Sequence, residues 1–382
     1  SLSRRMCSLT DMRVVHLLPT LDVGGAEQIV LELARRLSER GYDVHVIAMM
    51  GGGRLLAEFE HADIPTTVFP KTGPYGSFGF FPTRRRVREL RPVIVHTHLF
   101  GADLWGRLAA FTARVPVVVT TEHNMFPHEG WLTRATKKLL ASQTDAIIAV
   151  SGAVKRHLLD VDRLPKNTIR LIQNGIDLAR VIPRTARAFR DVPRLLTVGR
   201  LDPQKGHATL LKSLARVKRP WMLDIVGVGP LERDLKALAE RLAIAPRIRW
   251  LGVRKDVSSL LSASDIFCFP SLWEGFGLAA VEAAAAGVPI VASDLEVCRE
   301  ILAGDATFAP PGDVPAFAHA IDAILGDPIP RIALAQRGVS RIRKSYSLER
   351  MVDGYVKVYR ELVARPSTSL GILSLPKDGA SL

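Results

Sequence analysis

Short apolar runs alternate along this chain with longer segments whose apolar positions recur at helical spacing. In the first half, Val14–Leu18, Asp43–Ala48, Val93–His96, Val117–Thr120, Ala146–Val150 and Ile169–Ile172 read as strands. Between the first two lies Ala26–Arg40, where Ile29, Val30, Leu33, Ala34 and Leu37 keep to one helical face. The pattern starts afresh with strands Arg194–Val198, Met222–Val226, Ile248–Trp250, Ile266–Phe269 and Ile290–Ala292. Helices are expected at Thr209–Val217, Leu231–Ala243, Val257–Ala263, Leu278–Ala286 and Val314–Leu325. Such alternation builds parallel sheets from βαβ units. The polar stretch Asp177–Pro193 reads as a linker, so the chain divides into an α/β, doubly wound domain at 1–183 and a second at 184–346. A last helix, Leu348–Leu362 within a segment 347–365, carries Leu348, Met351, Val352, Tyr355, Tyr359 and Leu362 on one face, with Ser347 as its cap. The tail 366–382 is rich in Pro, Ser and Gly and is expected to be disordered.

Composition changes this picture little. A chain of 382 residues has room for two filled cores. No run is long and apolar enough for a transmembrane helix, and Ser1 to Asp11 lacks the apolar core of a secretory signal. Ser1 is not a natural initiator, so a trimmed or tagged end is expected, with Met6 or Met12 as starts. Cys7, Cys268 and Cys298 are odd in number and lack metal-ligand spacing, which points to a reducing cytoplasm without disulfides.

Charge adds more. The net charge of +14 asks for an anionic partner. Its densest run is Arg84, Arg85, Arg86 and Arg88. That run is either a solvated helix face or a surface for anionic lipid, worth about 1 kcal/mol per basic residue. Aromatic residues are only 6% and none interleaves with it, so nucleic acid is not expected.

Tandem doubly wound domains enclose ligands beyond the carboxyl ends of their strands, so the loops after strands matter most. After the first strand, Gly24 and Gly25 let backbone approach a ligand at a helix start. His96 and His98 end the third strand on one face; no Cys or acid cluster completes a metal site, and His98 suits a sugar oxygen or a backbone carbonyl. Glu122-His123-Asn124 follows the next strand as a similar, less specific set. Arg200 and Lys205 stand in the loop after Val198, a charged fork and a point charge fit to clamp a diphosphate. Glu282 is the lone ionisable residue of an apolar stretch, Glu274 precedes it by eight positions, and a Gly-Phe-Gly turn lies between. Two acids flanking a glycine turn at a helix start suit hydroxyl groups and phosphate. The D-x-D pattern Asp160-Val161-Asp162 reads as a solvated helix end rather than a metal site. Neither half has the G-x-G-x-x-G fingerprint of dinucleotide binding.

Taken together and in order, Val23–Glu27, His96-Thr97-His98, Ala149–Ser151, Asn174–Asp177, Gly199-Arg200 with Lys205-Gly206, Gly227–Pro230, and the pair Glu274 and Glu282 resemble the retaining glycosyltransferases of family 4. The resemblance runs from Arg13 to about Leu362. It implies the GT-B fold, two Rossmann-like domains facing a cleft, with the last helix crossing back onto the first. It further implies that Glu282 accepts from ribose hydroxyls and that Arg200 and Lys205 bind the diphosphate with backbone N–H groups around Gly277 and Leu278. Glu274 would hold hydroxyls of the transferred sugar, His98 would lie near the anomeric carbon, and Gly24, Gly25 and Gly229 would border the donor. The expected donor is a UDP- or GDP-sugar, the acceptor a glycan or lipid-linked glycan of a surface polysaccharide or glycolipid. No metal or other cofactor is expected, and the place is the cytoplasm or the inner face of the plasma membrane. A sugar-nucleotide epimerase or phosphorylase on the same fold, or a basic membrane-surface binding protein, stays open at this point.

Overall fold

A computed structural model describes residues 12–71, 79–125, 129–184 and 190–365. The chain start with Cys7, and the tail from 366, lie outside the described residues.

The first sheet runs β3-β2-β1-β4-β5-β6-β7, all parallel: β1 Arg13–Leu18, β2 Asp43–Ala48, β3 Thr66–Val68, β4 Ile94–His98, β5 Val117–Glu122, β6 Ala146–Ala149 and β7 Ile169–Leu171. The second runs β10-β9-β8-β11-β12-β13: β8 Arg194–Val198, β9 Met222–Val226, β10 Ile248–Gly252, β11 Ile266–Phe269, β12 Ile290–Ser293 and β13 Thr307–Ala309. Helices α1 Gly25–Glu39, α2 Leu56–His61, α3 Phe80–Leu90, α4 Phe100–Ala113, α5 Trp131–Ala141 and α6 Gly152–Asp160 connect the first sheet. The second uses α7 His207–Leu214, α8 Glu232–Arg241, α9 Val257–Ala263, α10 Leu278–Ala285, α11 Glu296–Leu302, α12 Val314–Gly326 and α13 Pro328–Ser345. The last helix is α14, Leu348–Val363.

Both sheets reverse strand order at one point, between β1 and β4 and between β8 and β11. A parallel sheet opens its ligand crevice at that switch. The pleat decides what lies beneath it. Val14 and Leu18 pack with Leu33, Leu37 and the apolar side of α14, while Val15 and Leu17 pack with Val87 and Ala102 on the opposite face. His16 pairs in register with His96, so His16, His96 and His98 all turn towards α14. That helix carries Leu348, Met351, Val352, Tyr355, Tyr359 and Leu362 into the first domain's core, capped by Ser347 accepting from the Arg350 N–H at 3.3 Å. The crossing helix is therefore part of the first domain's packing. Two strands carry no sequence signal of their own: β3 and β13 are three residues each and only partly buried. The D-x-D reading needs correction at one residue. Asp160 is exposed, but Asp162 is buried, within 3.7 Å of Lys137 Nζ and 3.9 Å of Arg134 Nε.

Candidate active site

The loops after β1, β4 and β5 face those after β8 and β11 across the two switch points. Asn124 Nδ2 donates to Gln204 Oε1 at 3.0 Å. Ser151 donates to the Gly275 carbonyl at 2.7 Å while accepting from the Val154 N–H, so one hydroxyl caps α6 and holds the opposite loop. Glu300 caps the same helix from the second domain, accepting from Gly152 and Ala153 N–H at 2.9 and 3.2 Å. A negative side chain at a helix start is favoured by the exposed N–H groups.

Within this boundary the second domain gathers its charges. Asp202 caps the turn Pro203–Lys205 and accepts both Nε and Nη2 of Arg200 at 2.9 and 2.6 Å. Gly206 follows at φ +63, and a Cβ there would meet the Pro270 carbonyl at 2.0 Å, so only glycine closes this turn. The turn delivers Lys205 Nζ to Glu274 Oε1, which also accepts from the Ser271 hydroxyl at 2.9 Å. Glu274 is buried, and its carboxylate is tied directly to the Lys205 ammonium. Gly229 packs against the Leu201 backbone, closing the loop after β9 onto the loop after β8.

Gly277 stands at φ +92 as the N-cap of α10, with Phe269 3.0 Å from where a Cβ would sit. Beyond it, the first N–H groups of α10 have no partner within the helix and point towards the boundary. Leu278 opens the helix and reaches to 3.3 Å from where a Gly25 Cβ would lie, which sets the starts of α1 and α10 against each other. Glu282 lies one turn further along the same face as Leu278. It is half-buried, and burial pushes its carboxyl up to about 7. Among the described residues it has no hydrogen-bond or ion-pair partner. Gly24 caps α1, and the Glu27 carboxylate folds back over it. Burial raises the Glu27 carboxyl, and Arg200 across the boundary draws it back down.

The histidines differ from the expected arrangement. His98 is fully buried, its Nε2 paired with His16 Nδ1 at 3.0 Å and its Nδ1 with His123 Nε2 at 3.0 Å. His123 is the partly exposed member, and its carbonyl lies against Gly275, next to Glu274. His98 therefore reaches the boundary only through His123. Its signal in the sequence, a histidine right after a strand, was shared by His123, and spacing could not rank the two. His16, inside an apolar strand, gave no signal at all. His96 pairs with the Tyr359 hydroxyl at 2.6 Å and with Thr121 Oγ1 at 2.7 Å. His16, His96 and His98 bring ligand atoms within 4.8 Å of one another, the one such His/Cys/Asp/Glu group among the described residues. A metal there would have to displace the imidazole pairs just described.

Residues 23–180 match the family Glycosyltransferase Family 4, and residues 182–341 match Glycosyl transferases group 1. The chain is a family 4 glycosyltransferase. Phosphatidyl-myo-inositol mannosyltransferase of Mycolicibacterium smegmatis is 31% identical over 369 residues, covering 87% of this chain and 90% of that protein. The Escherichia coli UDP-Gal:alpha-D-GlcNAc-diphosphoundecaprenol alpha-1,3-galactosyltransferase is 27% identical over 71% of this chain and 76% of its own. Among solved structures, Anabaena Alr3699/HepE in complex with UDP and glucose superimposes with a TM-score of 0.82 at 21% identity, over 92% of this chain and all of that one. That likeness establishes the GT-B fold of this glycosyltransferase. No described helix is long and apolar enough to cross a membrane.

Proposed function

We propose that this glycosyltransferase moves a hexosyl or N-acetylhexosaminyl group from a UDP- or GDP-sugar to a glycan or lipid-linked acceptor, with retention of configuration and without a metal. The observation that carries the reading is the placement of Glu282, Arg200, Lys205 and Glu274 around the start of α10. An unpartnered carboxylate sits one turn below free helix N–H groups, with two cations on the loop beside them. Ribose hydroxyls would satisfy the first, and a diphosphate would take the N–H groups and share the two cations with Asp202 and Glu274, their partners in the structure.

The chemistry follows from charge. As the C1–O bond breaks, its electron pair goes to the diphosphate, which Arg200, Lys205 and the α10 N–H groups stabilise. The acceptor oxygen bonds to C1 on the face the diphosphate leaves, and its proton passes to a diphosphate oxygen. Glu274 holds sugar hydroxyls and, through Lys205, senses the phosphate side. Fixed cations do the neutralising that a divalent ion does elsewhere.

The test is calorimetric titration of the full chain with UDP, GDP and ADP in the presence of chelator. Micromolar binding of one of them supports the reading and names the base. Binding that appears only after a divalent cation is added would overturn its metal independence, and no binding in either condition would overturn the donor assignment.

One observation favours a lipid-linked acceptor over a soluble one. Helix α5 is partly inside out, although Leu140 and Ala141 are buried. It buries Lys137, whose Nζ donates to both Glu129 oxygens at 2.9 Å, and it exposes Trp131, Leu132 and Leu139 beside Lys138. Phe81, at the start of α3, is exposed at the same end of the sheet as Trp131. An apolar rim with basic neighbours fits an anionic bilayer surface.

A further inference from the structure

Arg200 and Asp202 stand two residues apart, and a pair that close in sequence is ordinarily a surface contact of little worth. This one is built differently. The Arg200 side chain is 65% exposed and that of Asp202 only 10%, so the carboxylate is the fixed partner. Its two oxygens have separate tasks. Oδ1 accepts the Lys205 N–H at 3.3 Å and so caps the turn Pro203–Lys205. Oδ2 accepts Nε and Nη2 of Arg200 at 2.9 and 2.6 Å. One side chain thereby holds both cations of the loop, Lys205 by its backbone and Arg200 by its head group.

Backbone bonds hold the turn in turn. The Asp202 N–H donates to the Arg200 carbonyl at 2.9 Å, the Leu201 N–H to the Val228 carbonyl at 3.0 Å, and the Leu272 N–H to the Gln204 carbonyl at 2.7 Å. These bonds tie the loop after β8 to the loops after β9 and β11. A guanidinium is planar and carries five N–H donors on a rigid fork. Its side edge is Nε–H with one N–H of Nη2, and Asp202 takes that edge. The end edge, Nη1 with the second N–H of Nη2, is left over, and its spacing matches two oxygens of a phosphate. The head group also acts across the domain boundary on Glu27 at the start of α1, offsetting part of the burial that raises that carboxyl.

We propose that Asp202 is a positioning residue that aims the end edge of Arg200 at the diphosphate, fixing this cation before the C1–O bond breaks. The functional half rests on the transferase reading above; the aiming of Arg200 does not. The arrangement weakens ground-state binding, because a carboxylate beside the phosphates repels them. Its gain comes only as charge develops on the departing diphosphate, where a preoriented donor acts most strongly. Binding and turnover should therefore respond to loss of the carboxylate in opposite directions.

The discriminating variant is Asp202→Asn. Its amide oxygen still caps the turn by accepting the Lys205 N–H, which leaves the amide nitrogen, a donor, against the Arg200 side edge. The fork is released while the turn stays. Calorimetry with UDP and GDP should show affinity between unchanged and about threefold tighter than in the parent chain. Nucleotide release from UDP-glucose, UDP-N-acetylglucosamine or GDP-mannose, whichever the full chain cleaves, should fall by about tenfold in kcat with KM not raised. In an Arg200→Met background the same substitution should change kcat by less than about twofold. Unchanged kcat in Asp202→Asn would make the pair a resting contact that the diphosphate displaces, and would overturn the proposal. So would kcat, nucleotide affinity and unfolding free energy all falling together, or the full loss repeated in the Arg200→Met chain. The aiming itself is read without substrate. The Arg200 Nε–H signal in ¹⁵N NMR, assigned with Arg200→Met, should exchange slowly with water in the parent chain and fast in Asp202→Asn. Fast exchange in both would overturn it. That comparison stands if no nucleotide binds or no sugar is cleaved, and the donor titration stands if the exchange is fast in both.

Discussion

At the scale of single residues, Glu282 makes opposite demands on folding and on binding. Its carboxyl is pushed from the ordinary 4.5 up to about 7 by burial alone. A folded-state value above the unfolded one means the native protein holds this proton more tightly. The stability it contributes is complete below 4.5, declines as pH rises, and is gone above about 7. Hydroxyl donors from a bound ribose reverse that preference, because they satisfy the ionised form. Donor nucleotide should therefore bind more tightly as pH rises from 5.5 to 7.5, releasing protons that calorimetry in buffers of different ionisation enthalpy will count. Glu282→Gln cannot ionise. It should raise the thermal midpoint above pH 7, flatten the pH dependence of binding, and weaken nucleotide binding by about tenfold, as loss of a charge-assisted hydrogen bond does. A variant that binds normally, or that is less stable at pH 8, would remove Glu282 from the ribose position.

At the scale of elements, the start of α10 depends on one backbone angle. Gly277 at φ +92 aims the free N–H groups of the helix at the boundary, and a side chain there costs about 1–2 kcal/mol in the left-handed region before any contact with Phe269. Gly277→Ala should lower the unfolding free energy from urea titration by that amount and weaken diphosphate binding disproportionately, measured against a nucleoside lacking phosphates. Equal losses for both ligands would make the glycine a packing residue only. Elements of this kind were legible in the sequence, because the turn, the acid pair and the apolar helix are neighbours along the chain. The starts of β8, β9 and β11 and the whole of α9 were legible for the same reason. What sequence could not show is assembled across distance. The chain from His16 to His98 to His123 joins three segments through strand register, so no local pattern carries it. Asp162 reads as a helix end and turns out buried because Lys137, a residue of a different helix, folds under α5 to meet it. Among the basic run, Arg86 bends back to Thr67 and Glu89, and Arg85 pairs with Glu89, so periodicity overstated how many of these cations face outward freely.

At the scale of the whole molecule, the apolar residues of α5 and the charge of +14 act together. The helix is fixed from beneath by ions as well as by the buried Leu140 and Ala141, and Lys137 is 7% exposed while Trp131, Leu132 and Leu139 are 75%, 63% and 71% exposed. A buried lysine under an exposed tryptophan is the reverse of what a water-facing helix selects, and it leaves the apolar face for something other than water. The helices α3, α4 and α5 pack side by side and all begin where strands of the first sheet end, so the exposed Phe81 and Trp131 stand at that end of the sheet. A bilayer contacting that rim would present a lipid-linked acceptor headgroup to the site while its tail stays in the membrane. Basic residues near the surface add about 1 kcal/mol each, and this share is screened by salt over roughly 8 Å at physiological ionic strength, whereas the apolar share is not. The full chain should therefore sediment with vesicles rich in phosphatidylglycerol, release only partly at high salt, and ignore phosphatidylcholine vesicles. Trp131→Ser with Leu132→Ser should lower vesicle affinity by about thirtyfold or more, since burying each side chain is worth roughly 1–2 kcal/mol there, without changing nucleotide binding. Retained vesicle binding in that double variant would move the docking face away from α5, and complete release by salt alone would make the contact purely electrostatic, leaving the inside-out helix to another partner.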